Sequence, residues 1–308
     1  RIFHGGEWAE GELTLQPEGD GTYLYVGDAE IQQADNFAGF IDAGLPEWIR
    51  RQLDDDLAEI FSLLSEEWGL TLEDPVEILF VFDGADEPGL SQTGGVLGPQ
   101  VALQVSGEAL LEPDTTIVDF FRWFLTHESV HVFQRAAGMD GIPSAHAWMH
   151  EGVANTMAHR IGARLAGDPE LFLREVYSRA FAECVEYLET GAALKAAIET
   201  GQFGVYYSCG DFIALLTEAR LADGDIFDFW KAFLAEATAR GDEEISVELY
   251  FELAAEAGLD QEEVVELRAL VDEPVPEARQ QLIALLESAG LEPRFNDNDR
   301  LESLKLPK

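Results

Sequence analysis

Between Asp114 and Ala137 no proline or glycine interrupts the chain, and apolar residues recur there at helical spacing: Ile117, Val118, Phe121, Phe124, Leu125, Val130 and Phe133. Within the same stretch stand His127, Glu128 and His131. At about 3.6 residues per turn, the two histidines fall one above the other on a single helix face, with Glu128 beside the first. A long buried helix showing one polar edge is therefore the fixed point around which the other elements must pack. The residues on that edge form an H-E-x-x-H pattern: imidazole nitrogens suit zinc, and the neighbouring carboxylate can accept a proton from water.

Ahead of this helix the pattern is mixed. Short strands separated by turns are expected from Arg1 to Val26, a helix from about Pro46 to Trp68 ended by Gly69, and a buried strand at Val76–Phe82. A glycine-interrupted hairpin or edge strand is expected over Gly94–Val105. After Thr115 helices dominate: Ala147 to about Leu165, then about Pro169–Glu189, Ala192–Glu199, Tyr207–Leu221, Ile226–Ala239, Val247–Ala257, Gln261–Leu270 and Pro276–Ala289, with a weakly patterned tail from Leu291 to Lys308. The fold class read from this order is α+β: an N-terminal lobe of mixed sheet with a helix over 1–114, then a helical lobe over 115–308, the two forming one unit. A length of 308 residues with 47% apolar content is enough for a large core.

Charge narrows the range of partners. Sixty acidic against nineteen basic residues give a formal net charge of −41, a surface that repels nucleic acid and anionic membranes. No apolar run is long enough for a membrane span. Solubility in a salty or extracellular medium accounts for the acidity better than an acidic patch for a basic substrate does. With Arg1 in first place, an extracytoplasmic location after removal of a leader is the expectation, and the cytoplasm of a salt-adapted organism the alternative. Cys184 and Cys209 permit one disulfide without requiring it, and they lack metal-site spacing. Oligomeric state is not legible.

A catalytic zinc needs a third protein ligand, and the candidates nearest after His131 are His146, His150 and Glu151. The extended metzincin pattern is absent: Gln134 stands where its glycine would be and Ala137 where its third histidine would be. In its place the chain carries Trp148-Met149-His150-Glu151-Gly152-Val153-Ala154.

The pairing of these two motifs resembles the gluzincin metallopeptidases, especially the aminopeptidase-like group with a second motif of the form W-x-x-E-G-x-A. The resemblance covers mainly residues 115–220 and implies a zincin-like fold and one zinc ion per chain held by His127, His131 and Glu151. The commonest family spacing is one residue shorter, which puts His150 at the usual count, so the choice between Glu151 and His150 stays open. Asn155, one turn after Glu151, could reach His127 or His131. The segment Tyr207-Ser208-Cys209-Gly210 is similar to a Y-x-x-G segment whose tyrosine donates to the oxyanion in that family, with Tyr206 as rival.

The resemblance implies a zinc-dependent metallopeptidase acting on a peptide or protein substrate, with Glu128 as general base and then acid and Tyr207 as oxyanion donor. A strand near Val96–Val105 would border the cleft and pair with the substrate backbone. The family's G-x-M-E-N type anchor for a free amine is missing, since Gly94-Gly95-Val96-Leu97-Gly98 has no glutamate, so an endopeptidase or one of undetermined directionality is favoured. The alternatives are a catalytically silent zincin-fold scaffold and a metal-free helical interaction module.

Overall fold

Parallel strands cannot be joined by a tight turn and need a crossover element, and the first half of the chain is built on that constraint. A computed structural model describes residues 2–4, 7–9, 22–26, 31–33, 37–139, 141–241 and 245–306. The chain forms two compact units, Arg1–Ala136 and Ala137–Lys308.

In the first unit, strands β1 (Ile2–His4), β2 (Glu7–Ala9) and β3 (Tyr25–Val26) make a small antiparallel sheet. The expected turns at Gly5-Gly6 and 18–21 lie outside the described residues. A larger sheet contains β4 (Ile31–Gln33), β5 (Phe37–Ile41), β6 (Val76–Phe82), β7 (Ser91–Leu97) and β8 (Gln100–Ser106), in the order β4-β5-β6-β8-β7. β5, β6 and β8 run parallel, while β4 and β7 are antiparallel to their neighbours. Helix α1 (Glu47–Trp68) is the crossover between β5 and β6. It begins directly after Pro46 and ends where Gly69 takes the left-handed conformation (φ 60°), its N–H closing on the carbonyls of Ser65 and Glu66.

The face of α1 that carries Ile49, Leu53, Leu57, Ile60, Phe61 and Leu64 is buried, and Phe61 stacks on Phe37 of β5 with ring centres 5.4 Å apart. Helix α2 (Thr115–Ala136) packs beside it, with Phe121 meeting Phe80 of β6 edge to face at 5.1 Å. One polar pair lies within this apolar layer: Asp56 of α1 accepts two hydrogen bonds, both 2.9 Å, from the Arg122 guanidinium of α2. Such a bidentate pair fixes direction as well as proximity.

β7 is the outer strand of the hairpin and β8 its inner one, held between β6 and β7. The stretch Val96–Val105, expected to border a cleft, is therefore mostly interior, and among the described residues the strand at that edge of the sheet is β7, Ser91–Leu97. Gly94 is required there: a Cβ would strike the Ala102 carbonyl and lie 2.9 Å from the Phe124 ring of α2.

The second unit is helical: α3 (Trp148–Leu165), α4 (Pro169–Leu188), α5 (Val205–Arg220), α6 (Ile226–Arg240), α7 (Val247–Ala257), α8 (Gln261–Asp272) and α9 (Ala278–Ser288). Local chemistry sets their starts. Asp168, Asp225, Ser246 and Asp260 each accept from first-turn backbone N–H groups, and Asp260 with Glu263 completes a capping box.

α3 and α5 make the most intimate pair, because Gly152 and Gly210 face each other backbone to backbone. Cys184 of α4 and Cys209 of α5 form a disulfide. Closing that loop contributes about 3–4 kcal/mol on a chain-entropy account.

Two further expectations change. The stretch Ala192–Glu199 is not an α-helix but a single 3-10 turn at Leu194–Ala196. It is bracketed by Gly191 and Gly201, both at positive φ, a span too short to propagate a helix against its nucleation cost. The tail contains a small hairpin, β9 (Arg294–Phe295) with β10 (Leu301–Ser303). Among the described residues, no helix is long and apolar enough to cross a membrane. The architecture is α+β: mixed sheet first, then a mainly helical part.

Candidate metal centre

An α-helix puts residues four apart on one face, and on α2 this brings the His127 and His131 rings to 4.8 Å between centroids, nearly perpendicular. Their Nε2 atoms lie 3.1 Å apart. Two imidazole nitrogens held tetrahedrally by one zinc at about 2.0–2.1 Å would be separated by roughly 3.3 Å, so the pair is close to a bidentate arrangement. Gln134, one turn beyond His131, supports it. Its Oε1 lies 2.9 Å from His131 Nδ1, and a proton placed on Nδ1 leaves the Nε2 lone pair available to a metal. Trp123, one turn before His127, lays its ring 5.5 Å from that imidazole. Both histidines are buried, at 1% and 5% exposure.

Glu151, in the first turn of α3, is buried as well. His127, His131 and Glu151 each offer one ligand atom, and these atoms lie within 4.8 Å of one another. That donor set, two imidazoles and a carboxylate, could hold a metal ion and suits zinc with a position left open. Among the described residues this is the group of three or more such side chains that converges, and His150 is not part of it. His150 Nε2 instead lies 3.3 Å from Glu151 Oε1. Glu128 is half-buried on α2 next to His127.

The tyrosine pair separates clearly. Tyr206 is fully buried; its hydroxyl donates to the Lys195 carbonyl at 3.1 Å and accepts from Ile198 N–H at 3.4 Å. Burial pushes its phenol pKa up. Tyr206 thus stitches the 3-10 turn to α5, its hydroxyl committed to backbone partners. Tyr207 is half-buried in the first turn of α5, its ring 5.9 Å from exposed Phe203. Asn155, considered for the imidazoles, donates its amide to the Tyr207 carbonyl at 3.5 Å.

Two features escaped sequence reasoning. Gln134 stands three past His131, the spacing of side chains that meet on a helix, and that spacing was the signal that could have found it. A buried cluster of Thr156, His159 and Asp211 had no local signal, because its members come from two helices.

No family model matches the chain, and no curated relative matches it in sequence. Among solved structures, that of an aminopeptidase N family protein from Idiomarina loihiensis is similar in fold, with a TM-score of 0.63 at 14% identity over 88% of this chain and 51% of that one. The chain thus spans about half the length of that neighbour. At this identity the likeness is one of fold.

Proposed function

We propose that the chain is a zinc-dependent metallopeptidase of the gluzincin kind. The observation that carries this reading is the buried convergence of His127, His131 and Glu151, in a chain whose fold resembles an aminopeptidase N family protein. One zinc would be held by those three side chains, supplying Lewis-acid polarisation of a carbonyl and acidification of water.

The chain's own residues do the rest. Glu128 takes the proton of the attacking water and returns it to the leaving amine, serving as base and then acid. Gln134 and Trp123 hold the imidazoles in orientation. The Tyr207 hydroxyl donates to the oxyanion as it develops. Strand β7, at the sheet edge, offers backbone groups to an extended peptide. Its sequence Ser91–Leu97 has no acidic side chain to pair with a free amine, which favours internal cleavage over removal of N-terminal residues.

The test is zinc content by elemental analysis together with cleavage of a mixed peptide library, with and without a chelator. One zinc per chain and chelator-sensitive cleavage are expected. Glu128→Gln should keep the zinc and lower kcat by roughly 10²–10⁴-fold. Zinc-loaded protein that cleaves nothing, unchanged by Glu128→Gln, would establish a silent scaffold instead.

A further inference from the structure

Helices α3 and α5 touch through glycine. Gly152 and Gly210 bring the backbones together with no side chains between them. A run of polar contacts, which can fix register as well as distance, follows the crossing. Thr156, one turn past Gly152, donates to Asp211 Oδ1 at 2.6 Å. His159 Nδ1 lies 3.1 Å from Asp211 Oδ2, in contact though off the line of a hydrogen bond. Farther along, Arg160 pairs with Glu218. At the other end, the Asn155 amide reaches the Tyr207 carbonyl.

The central group is wholly enclosed: Asp211 and Thr156 are 0% exposed and His159 4%. On the α4 side it meets the Tyr177 ring, 5.4 Å from His159, and the Phe172 ring at 6.3 Å. Burial pushes the Tyr177 phenol well up, and Asp211 adds to that, so the hydroxyl keeps its proton. A carboxylate with this little access to water is costly unless its partners are in place. A slide of one residue along either helix, about 1.5 Å, would disturb the geometry of all of these contacts together.

We propose that the Thr156–Asp211–His159 cluster is a positioning device that sets the register of α5 against α3, and so places Tyr207 relative to Glu151. Asp211 is one turn beyond Tyr207 on α5, and His159 is two turns beyond Glu151 on α3. The inference rests on the reading that Glu151 and Tyr207 serve one reaction. All three cluster residues act through the helices that carry them, not by touching substrate.

The test uses the full zinc-loaded chain with 3-fluorotyrosine at position 207, so that a 19F resonance reports its surroundings whether or not peptide is cleaved. Asp211→Ala should shift or broaden that resonance and lower kcat by about tenfold or more, as expected of a misplaced group, with KM little changed and one zinc retained. Asp211→Asn keeps an acceptor for Thr156 and a polar group of the same shape beside His159, and should return both resonance and kcat towards wild type. Thr156→Val, which leaves the His159 contact, should give an intermediate shift and decides the matter should Asp211→Ala fail to fold. The proposal is overturned if folded Asp211→Ala or Thr156→Val leaves the resonance unmoved, or if Asp211→Asn is as impaired as Asp211→Ala. Wild-type protein that cleaves no peptide would refute the peptidase reading alone, since the 19F comparison would still decide the positioning claim.

Discussion

Replacing Gly210 by alanine tests the α3–α5 contact directly. A Cβ at that position would lie 2.8 Å from Gly152 Cα and 3.1 Å from Gly152 N, and would strike the Trp148 carbonyl. Ordinary van der Waals contacts of a Cβ begin near 3.4 Å, so the helices must separate by at least about 0.6 Å, with more demanded at the carbonyl. No rotamer change relieves a clash between backbones, which places the cost at the upper end of the 1–3 kcal/mol typical of overpacking, about 3 kcal/mol. For a unit of this size that corresponds to a fall in Tm of roughly 6–12 °C. Thermal unfolding followed by circular dichroism measures it, with Gly204→Ala as control. Gly204 has helical backbone angles, and a Cβ added there would have nothing within 4 Å, so its alanine variant should be neutral or gain about 0.4–1 kcal/mol. A Gly210→Ala protein melting within about 2 °C of wild type would refute the close-packing argument. Because Trp148 and Gly152 flank Glu151, the same variant should also weaken zinc binding.

Tyr206→Phe should lose about 1–2 kcal/mol of stability through its two backbone partners, whereas Tyr207→Phe should leave stability within about 0.5 kcal/mol and lower kcat by roughly 10²–10³-fold; the opposite pattern in melting and kinetic assays would exchange their roles. Burial pushes the Glu263 carboxyl up, but hydrogen bonds from Arg220, the Asp260 backbone and Ser288 outweigh it and hold its pKa below the ordinary value. Its contribution is therefore present above an unfolded value of roughly 4.3 and is lost as pH falls through the lower folded one. Glu263→Gln should be less stable than wild type at neutral pH and converge with it in acid, as followed by denaturant titration across pH. With a formal net charge of −41, the unfolding midpoint should rise with added salt as self-repulsion is screened; flat midpoints would contradict this.

The elements legible in the sequence were those whose signals are local. Gly69 after the α1 periodicity, the unbroken α2 stretch and the Gly98-Pro99 turn between β7 and β8 each announce themselves within a few residues. The His127–His131 pairing follows from helical spacing alone. The convergence with Glu151 does not, because nothing local says where α3 lies, and it entered through motif resemblance. Strands β4 and β5 left little trace: Ile31–Gln33 is very short, and Phe37–Ile41 is buried throughout, so it lacks the alternation that marks a half-buried strand. The 192–199 segment carries helix-forming residues, yet its outcome is set by the glycines on either side and by Tyr206, which binds it from a distance. The Thr156–Asp211–His159 cluster was invisible because residues 55 apart meet there only after two helices cross.

Part of the acid surplus has work inside the fold. Asp168, Asp225 and Asp260 cap the N-termini of α4, α6 and α8, Asp56 anchors Arg122, and Glu263 gathers Arg220 and Ser288. Anyone rebalancing the surface by charge reversal, to change solubility or to encourage crystals, should therefore leave these five untouched, together with Glu128, Glu151, Asp211 and Glu218, and choose among exposed carboxylates. A variant neutralised without regard to them would fray at three helix starts before its net charge approached zero.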